Sequence, residues 1–369
     1  MKKQIHLIQF LPYFSPHIWG VEKVWEEISW KWTHWKSLII SGNICQQWNV
    51  YKKNIDNGVV YFFPCIEIVD NFILPRLWTS KFWKVWGELK KEVWEDAENY
   101  RVLTHTRFFL SSLMWGIFAR RNDIRWIHLE HGSGYVKSWK KFIDMISYLF
   151  DRTIGKWIIS KANTVLSISQ SSKNFIEKEF KREWVQVFYR GIEIPKIQKE
   201  KTEEITFVYI GRLSRLKWVT DLVSSLKGIW NPWKLVIIGD GEERKNLEKQ
   251  AEWWEIEFLW FKDRDFIMKF LSENKCILVN PSYQEWLPTT VIEGLATKNV
   301  VVATNVWGTG EISSQEDLIL FEPWNTEKLW EKLTFAYKNF SELQRTSYKD
   351  IEKRFSREKS IETLYNFVK

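Results

Sequence analysis

Glycine is scarce in this chain of 369 residues: there are 16, and the 25 tryptophans outnumber them. Soluble domains ordinarily carry about 7% glycine, so the shortage bears first on turns, where glycine supplies positive φ without steric cost. Cysteine is scarcer still. Cys45, Cys65 and Cys276 are scattered, without the spacing of a zinc site or redox motif, and read as buried reduced thiols. No run of 18 apolar residues occurs, which leaves no candidate for a membrane-spanning helix. The N-terminal MKKQIHLIQFLPYFSPH turns polar and proline-broken before a signal-peptide core is complete, so the expected location is cytoplasmic. There is no low-complexity tract, no short-period repeat, no DxD-like pair, no His/Asp cluster suited to a divalent metal and no nucleic-acid motif with interleaved aromatics. Neither a metal nor a cofactor is expected, and nucleic acid is not an expected partner.

What the chain does have is an uneven charge. The formal balance is +8. Residues 1–195 hold 28 Lys+Arg against 19 Asp+Glu, a balance of +9, which leaves 26 against 27, or −1, for the rest. A basic first half suits an anionic membrane surface, an anionic lipid-linked substrate or simply a solvated face. The hydrophobic pattern divides at the same place. QIHLIQFLP, SLIISG, VVYFFP, RVLTHT, RWIHLEH and TVLSIS read as buried strands separated by charged amphipathic stretches. After the polar connector KIQKEKTEE the rhythm resumes with ITFVYIGRL, KLVIIGDG, IEFLWF, CILVNPS and NVVVATN. Strands alternating with helices imply parallel sheets and an α/β class. The expected division is a Rossmann-like domain over residues 1–195, a second over 196–345, and a helical tail over 346–369 that packs back toward the first.

Open parallel sheets bind ligands beyond the carboxyl ends of their strands. Gly211 and Arg212 close the first strand of the second half, Gly239 to Gly241 the next, and Pro281 to Glu285 follow CILVN. QEWLPTTVIE places Pro288 in the first turn of a helix, Glu285 in the loop before it and Glu293 inside it. Such a helix would aim its free N–H groups at the strand-end crevice, where a phosphate could sit. A loop glutamate can accept from sugar hydroxyls and a helical one can hold a ribose, although two Glu at this spacing also occur by chance.

Together, SYQEWLPTTVIEGLA, VWGTGEI and IGRLSRLKW, with HIWGVE (17–22), EHGSG (130–134) and RGIE (190–193), resemble the retaining glycosyltransferases of family 4. The resemblance runs in order along nearly the whole chain. It implies the GT-B fold, two Rossmann-like parallel-sheet domains facing across a cleft, and transfer of a sugar from a nucleotide-diphosphate donor. The family's E-x7-E motif falls on Glu285 and Glu293, and its diphosphate-binding Arg and Lys on Arg212 and Lys217. A histidine that touches the donor sugar or the acceptor falls on His131, with His105 and His128 as competitors. Gly20, beside Trp19, and Gly211, Leu287, Pro288, Thr289 and Gly308 fall in the implied donor-binding loops. The resemblance also implies retention through a front-face mechanism, in which the departing phosphate oxygen takes the acceptor proton.

The departures share one form, since tryptophan stands where the family has glycine, at Trp19, Trp218, Trp286 and Trp307. Trp233 in NPW and Trp324 in EPWN occupy similar turn contexts, whereas Trp126 in RWIHLEH sits in a strand-like run. Some bacterial lineages read UGA as glycine, and a translation that reads it as tryptophan would produce this pattern. On that reading the turn tryptophans are glycines. On the other, the indoles are real, they crowd the donor pocket, and the chain is a sugar-nucleotide-binding pseudoenzyme. A GT-B sugar-nucleotide epimerase is a third reading, disfavoured by the Arg, Lys and glutamate set. For the acceptor, residues 137–161 and 72–86 mix Lys/Arg with broad apolar faces. They suit either a membrane interface near a lipid-linked acceptor or a helix packed on its own sheet. The expected partners are a UDP- or GDP-sugar, a glycan or lipid-linked acceptor, and a peripheral contact with the membrane.

Overall fold

The computed structural model describes residues 5–11, 36–43, 51–69, 72–135, 141–197, 204–226, 234–251, 256–344 and 348–369. The chain divides into two compact units, one of Met1–Ile168, Ser172–Phe188 and Ile361–Lys369, the other of Ser169–Ser171 and Tyr189–Ser360.

Among the described residues the first unit carries nine strands: β1 (His6–Leu11), β2 (Lys36–Asn43), β3 (Lys52–Ile55), β4 (Gly58–Val69), β5 (Phe72–Pro75), β6 (Tyr100–His105), β7 (Arg125–Glu130), β8 (Thr164–Ser167) and β9 (Gln186–Val187). Their order is β3-β4-β2-β1-β6-β7-β8-β9, with β5 paired to β4. β3 and β5 run antiparallel to β4, and the other pairs are parallel. Among the described residues every strand pair of the second unit is parallel. Its strands β10 (Thr206–Ile210), β11 (Lys234–Ile238), β12 (Ile256–Trp260), β13 (Cys276–Asn280), β14 (Val300–Thr304) and β15 (Leu318–Phe321) lie in the order β12-β11-β10-β13-β14-β15.

A parallel sheet needs both faces covered, which is why its strands read as continuous apolar runs. Along β10 and β11 the residues alternate between two cores. Phe207, Tyr209, Leu235 and Ile237 enter one, and Val208, Ile210, Val236 and Ile238 the other. In sequence order the second sheet reads 3-2-1-4-5-6. Its direction of winding therefore reverses between β10 and β13, the switch point at which open parallel sheets bind their ligands. The first sheet reverses in the same way between β1 and β6.

Two kinds of tryptophan site appear. Trp126 on β7 is fully buried, and its indole N–H donates to Thr104 Oγ1 at 2.8 Å. Gly116, on the helix Leu110–Arg121, leaves the gap that the Trp126 ring fills. Elsewhere the backbone itself resists the residue. Nine described non-glycine residues have positive φ, and five of them are tryptophan: Trp184 (62°), Trp218 (53°), Trp260 (53°), Trp307 (41°) and Trp324 (66°). Tryptophan makes up 25 of 369 residues, so fewer than one in nine would be expected by chance. A left-handed residue with a bulky side chain costs about 1–2 kcal/mol. Trp184 and Trp260 were not among the sequence candidates. Trp286 was, but it is absent from the left-handed set, and Trp19 and Trp233 lie outside the described residues.

Candidate active site

The second unit gathers most of the expected residues at its strand tips. β10 is followed by Gly211, whose φ of 156° favours glycine. A side chain at Gly239 would run into the Gly211 carbonyl, and one at Gly241 into the Leu213 carbonyl. The loops after β10 and β11 therefore lie backbone against backbone, joined by Gly211 N–H to Ile238 O at 3.0 Å and Leu213 N–H to Asp240 O at 2.9 Å. Arg212 projects from this platform, exposed. Its carbonyl accepts from the Tyr209 hydroxyl at 2.9 Å, but among the described residues its guanidinium has no partner.

A single 3₁₀ turn, Arg215–Lys217, follows and is closed by left-handed Trp218. Lys217 Nζ pairs with Glu285 Oε1. Tyr283 N–H donates to Leu216 O at 2.9 Å and ties the loop after β13 to that turn. Asn280, the last residue of β13, donates through Nδ2 to Thr290 Oγ1 at 3.2 Å and approaches Glu285 Oε1 at 3.5 Å. Tyr209 senses the same carboxylate. Burial, and after it the Glu285 charge, push its phenol well above the ordinary range. Glu285, Lys217 and the backbone of Arg212 thus share one neighbourhood.

The helix Thr289–Ala296 starts here, with Pro288 at its N-cap and no side chain capping the first turn. Pro288 thus stands one position before the first turn, because its ψ of 111° is extended. Leu287 packs against the core beneath, and the Thr289 hydroxyl accepts from Arg190 Nη2. A side chain at Gly308 would collide with the Trp286 carbonyl, so the loop after β14 presses directly on the one that carries Glu285. Glu293 is buried further along the helix and pairs with Arg264 Nε at 3.1 Å. Trp324 stacks on Tyr283 at a centroid distance of 3.4 Å, and Trp218 meets the same ring tilted by 35° at 5.2 Å.

The first unit builds a different tip. His131 follows β7, almost wholly buried, with Nε2 3.4 Å from His105 Nδ1. Burial, followed by His131 and His128, holds His105 well below the ordinary histidine range. His128 instead faces the core, against Thr104 Oγ1 at 2.9 Å and Glu130 at 3.4 Å. The direct contact is between His131 and His105, whereas the ring of His128 is taken up by Thr104 and Glu130. Gly20 lies outside the described residues.

Under His131 sits a cluster that sequence reasoning missed. Arg107, fully buried, pairs with Glu130 at 2.9 Å and with Asp151 at 2.9 Å, and donates to Gly134 O at 2.8 Å. Glu130 also accepts from the N–H groups of Arg107, at 3.0 Å, and Gly132, at 2.7 Å. Burial alone would raise Glu130, but Arg107, His128 and the Gly132 N–H outweigh it and hold the carboxyl at about 2. For Asp151 burial prevails over Arg107, and the carboxyl is pushed up to about 6. The cluster straps the EHGSG loop to Asp151, the first residue of a π-helical turn, Asp151–Gly155. Only the family-like EHGSG signal hinted at it. Arg264 and Asn280, which touch the E-x7-E glutamates, carried no signal at all.

The family model for glycosyl transferases group 1 matches residues 192–353. An uncharacterized glycosyltransferase of Methanocaldococcus jannaschii is 30% identical over 332 residues, covering 84% of this chain and 83% of the relative. The putative teichuronic acid biosynthesis glycosyltransferase TuaC of Bacillus subtilis is 25% identical over 254 residues, covering 65% of this chain and 62% of its own. Among solved structures, sucrose-phosphate synthase of Thermosynechococcus elongatus superposes with a TM-score of 0.78 at 15% identity, covering 98% of each chain. HepE of Anabaena in complex with UDP gives 0.73 at 13% identity, covering 99% of each. At such identities the likeness shows the fold, α/β of the GT-B type.

Proposed function

The chain belongs to the glycosyl transferases group 1 family and is a glycosyltransferase. From that premise we propose that it transfers a sugar, with retention as in family 4, from a nucleotide-diphosphate sugar to a glycan or lipid-linked acceptor in cell-surface polysaccharide synthesis. The observation that carries the reading is the second unit's strand-tip cluster. It sets Arg212, whose guanidinium has no partner among the described residues, the Lys217–Glu285 pair and a helix N-terminus without a side-chain cap around the reversal between β10 and β13.

Breaking a sugar–diphosphate bond develops negative charge on the leaving group. Fixed cations placed there stabilise the transition state more than the bound donor. Arg212 can grip two phosphate oxygens, and Lys217 adds a compact charge. Glu285 accepts from sugar hydroxyls, and Glu293 holds the ribose. Gly211, Leu287, Pro288, Thr289 and Gly308 let the backbone approach the diphosphate. His131 touches the sugar or the acceptor, and the departing phosphate oxygen takes the acceptor proton. Two relatives favour details of this reading: TuaC is named for teichuronic acid biosynthesis, and HepE was solved with UDP-glucose. The charge asymmetry favours an anionic, lipid-linked acceptor.

The left-handed tryptophans are part of the proposal. At about 1–2 kcal/mol each, five would cost about 5–10 kcal/mol, comparable with the whole stability of a domain. We therefore infer that Trp184, Trp218, Trp260, Trp307 and Trp324 are glycines in the functional protein, written as tryptophan by a translation table. UGG codons at these positions in the gene would end that inference.

The test is turnover of a panel of UDP- and GDP-sugars by the glycine form of the chain. Consumption of one donor is expected. Tight binding of a donor without turnover would favour the pseudoenzyme instead, and indifference to every donor would overturn the reading. Glu293→Ala should weaken donor binding about tenfold, read by calorimetry, because a buried hydrogen-bonding partner of the donor is lost.

A further inference from the structure

The helix Lys141–Phe150 is turned inside out. A surface helix normally buries its apolar stripe and shows its polar one, yet this helix has no buried residue. Phe142 (69% exposed), Met145 (53%), Ile146 (49%) and Leu149 (55%) fall at the i, i+3, i+4, i+7 spacing of a single stripe, with Ile143 and Tyr148 exposed beside it. The less exposed positions are Asp144, Ser147 and Phe150, and the chain then leads into buried Asp151. Tyr148 anchors the helix by its ring, 5.1 Å from Tyr135, whose hydroxyl donates to Glu179 at 2.9 Å. A contiguous apolar face of this kind marks a surface that something covers.

Charge identifies what covers it. Lys141 stands at the start of the helix, and Arg152 and Lys156 follow its end, all exposed. The half of the chain that contains the helix has the +9 balance. At ten residues the helix is about 15 Å long, half the thickness of a bilayer's hydrocarbon core. No described helix is long and apolar enough to cross one. We propose that Lys141–Phe150 lies in the plane of an anionic lipid surface, its apolar stripe among the acyl chains and its flanking cations at the headgroups. This goes beyond the transfer reaction and does not depend on it.

The experiment is co-sedimentation of the full chain with vesicles of phosphatidylcholine containing 30% phosphatidylglycerol, against pure phosphatidylcholine. The glycine form of the chain is used, and the helix itself contains no tryptophan, so its apolar stripe is the same in both forms. Binding to the anionic vesicles is expected, weakened at least tenfold by 0.5 M salt and about 30-fold or more by Phe142→Ser/Met145→Ser/Leu149→Ser. All three positions are exposed, so the variant should keep the parent's melting temperature. Failure to bind anionic vesicles, or equal binding by the triple variant, would overturn the proposal. So would equal, salt-insensitive binding to pure phosphatidylcholine, or a dimer that only the variant dissolves while neither form binds vesicles. UDP-sugar binding, measured in parallel, separates a failure here from a failure of the transferase reading.

Discussion

Both units place an arginine just beyond a strand at their strand tips, and the two arginines have opposite surroundings. Arg107 is wholly buried and directs its donors at Glu130, Asp151 and Gly134 O. Arg212 is exposed, on a platform held by backbone hydrogen bonds, with its guanidinium unpartnered among the described residues. A buried charge without partners costs several kcal/mol, so the fold must saturate it. An exposed one is solvated and stays available. On the proposed reading the contrast separates scaffold from chemistry: Arg107 fixes the loop that carries His131, and Arg212, without a partner among the described residues, is left to meet an anion.

The comparison breaks most visibly at Arg107. Arg107→Met leaves two buried carboxylates facing each other and should destabilise the protein by about 3–5 kcal/mol, seen in chemical unfolding. A loss below about 1 kcal/mol would mean that the cluster is no scaffold. Asp151 sharpens the point through pH. Its carboxyl is raised in the folded protein to about 6, so the folded state favours the protonated form. That contribution is present below about pH 4 and is lost as pH rises through 6, a fall of about 2–3 kcal/mol. Glu130, held at about 2, works in the opposite sense and loses its contribution as pH falls from about 4.5 to 2. Asp151→Asn should therefore flatten the pH dependence of stability between 4 and 6 and leave the acid limb intact. An unchanged slope would place the titration elsewhere. The smallest effect concerns tryptophan. Trp184 is exposed and left-handed, and Trp184→Gly should stabilise by about 1 kcal/mol. A loss of stability there would mean that this backbone accepts indole.

Much of the fold is legible in the sequence. The eleven apolar runs read from the sequence all became strands, because buried parallel strands must be apolar throughout. The short β3, β5 and β9, and LILF at β15, were not read. β3 is exposed at Lys53 and Asn54, and four-residue strands carry too little periodicity. The tip loops of the second unit were legible because glycine and proline mark them. Arg264 and Asn280 were not, since a side chain that reaches a glutamate across the fold leaves no local trace. Arg107 looked like any other arginine in THTRF, and only burial sets it apart. Thr106, left-handed between His105 and Arg107, is strain of the kind that collects at working sites, and nothing in the sequence announced it.

The most direct test of the claim that the open strand tip does the chemistry is turnover of Arg212→Ala at saturating nucleotide sugar. We predict a fall of about 100- to 1,000-fold with the melting temperature unchanged. Turnover equal to that of the parent enzyme would contradict the account.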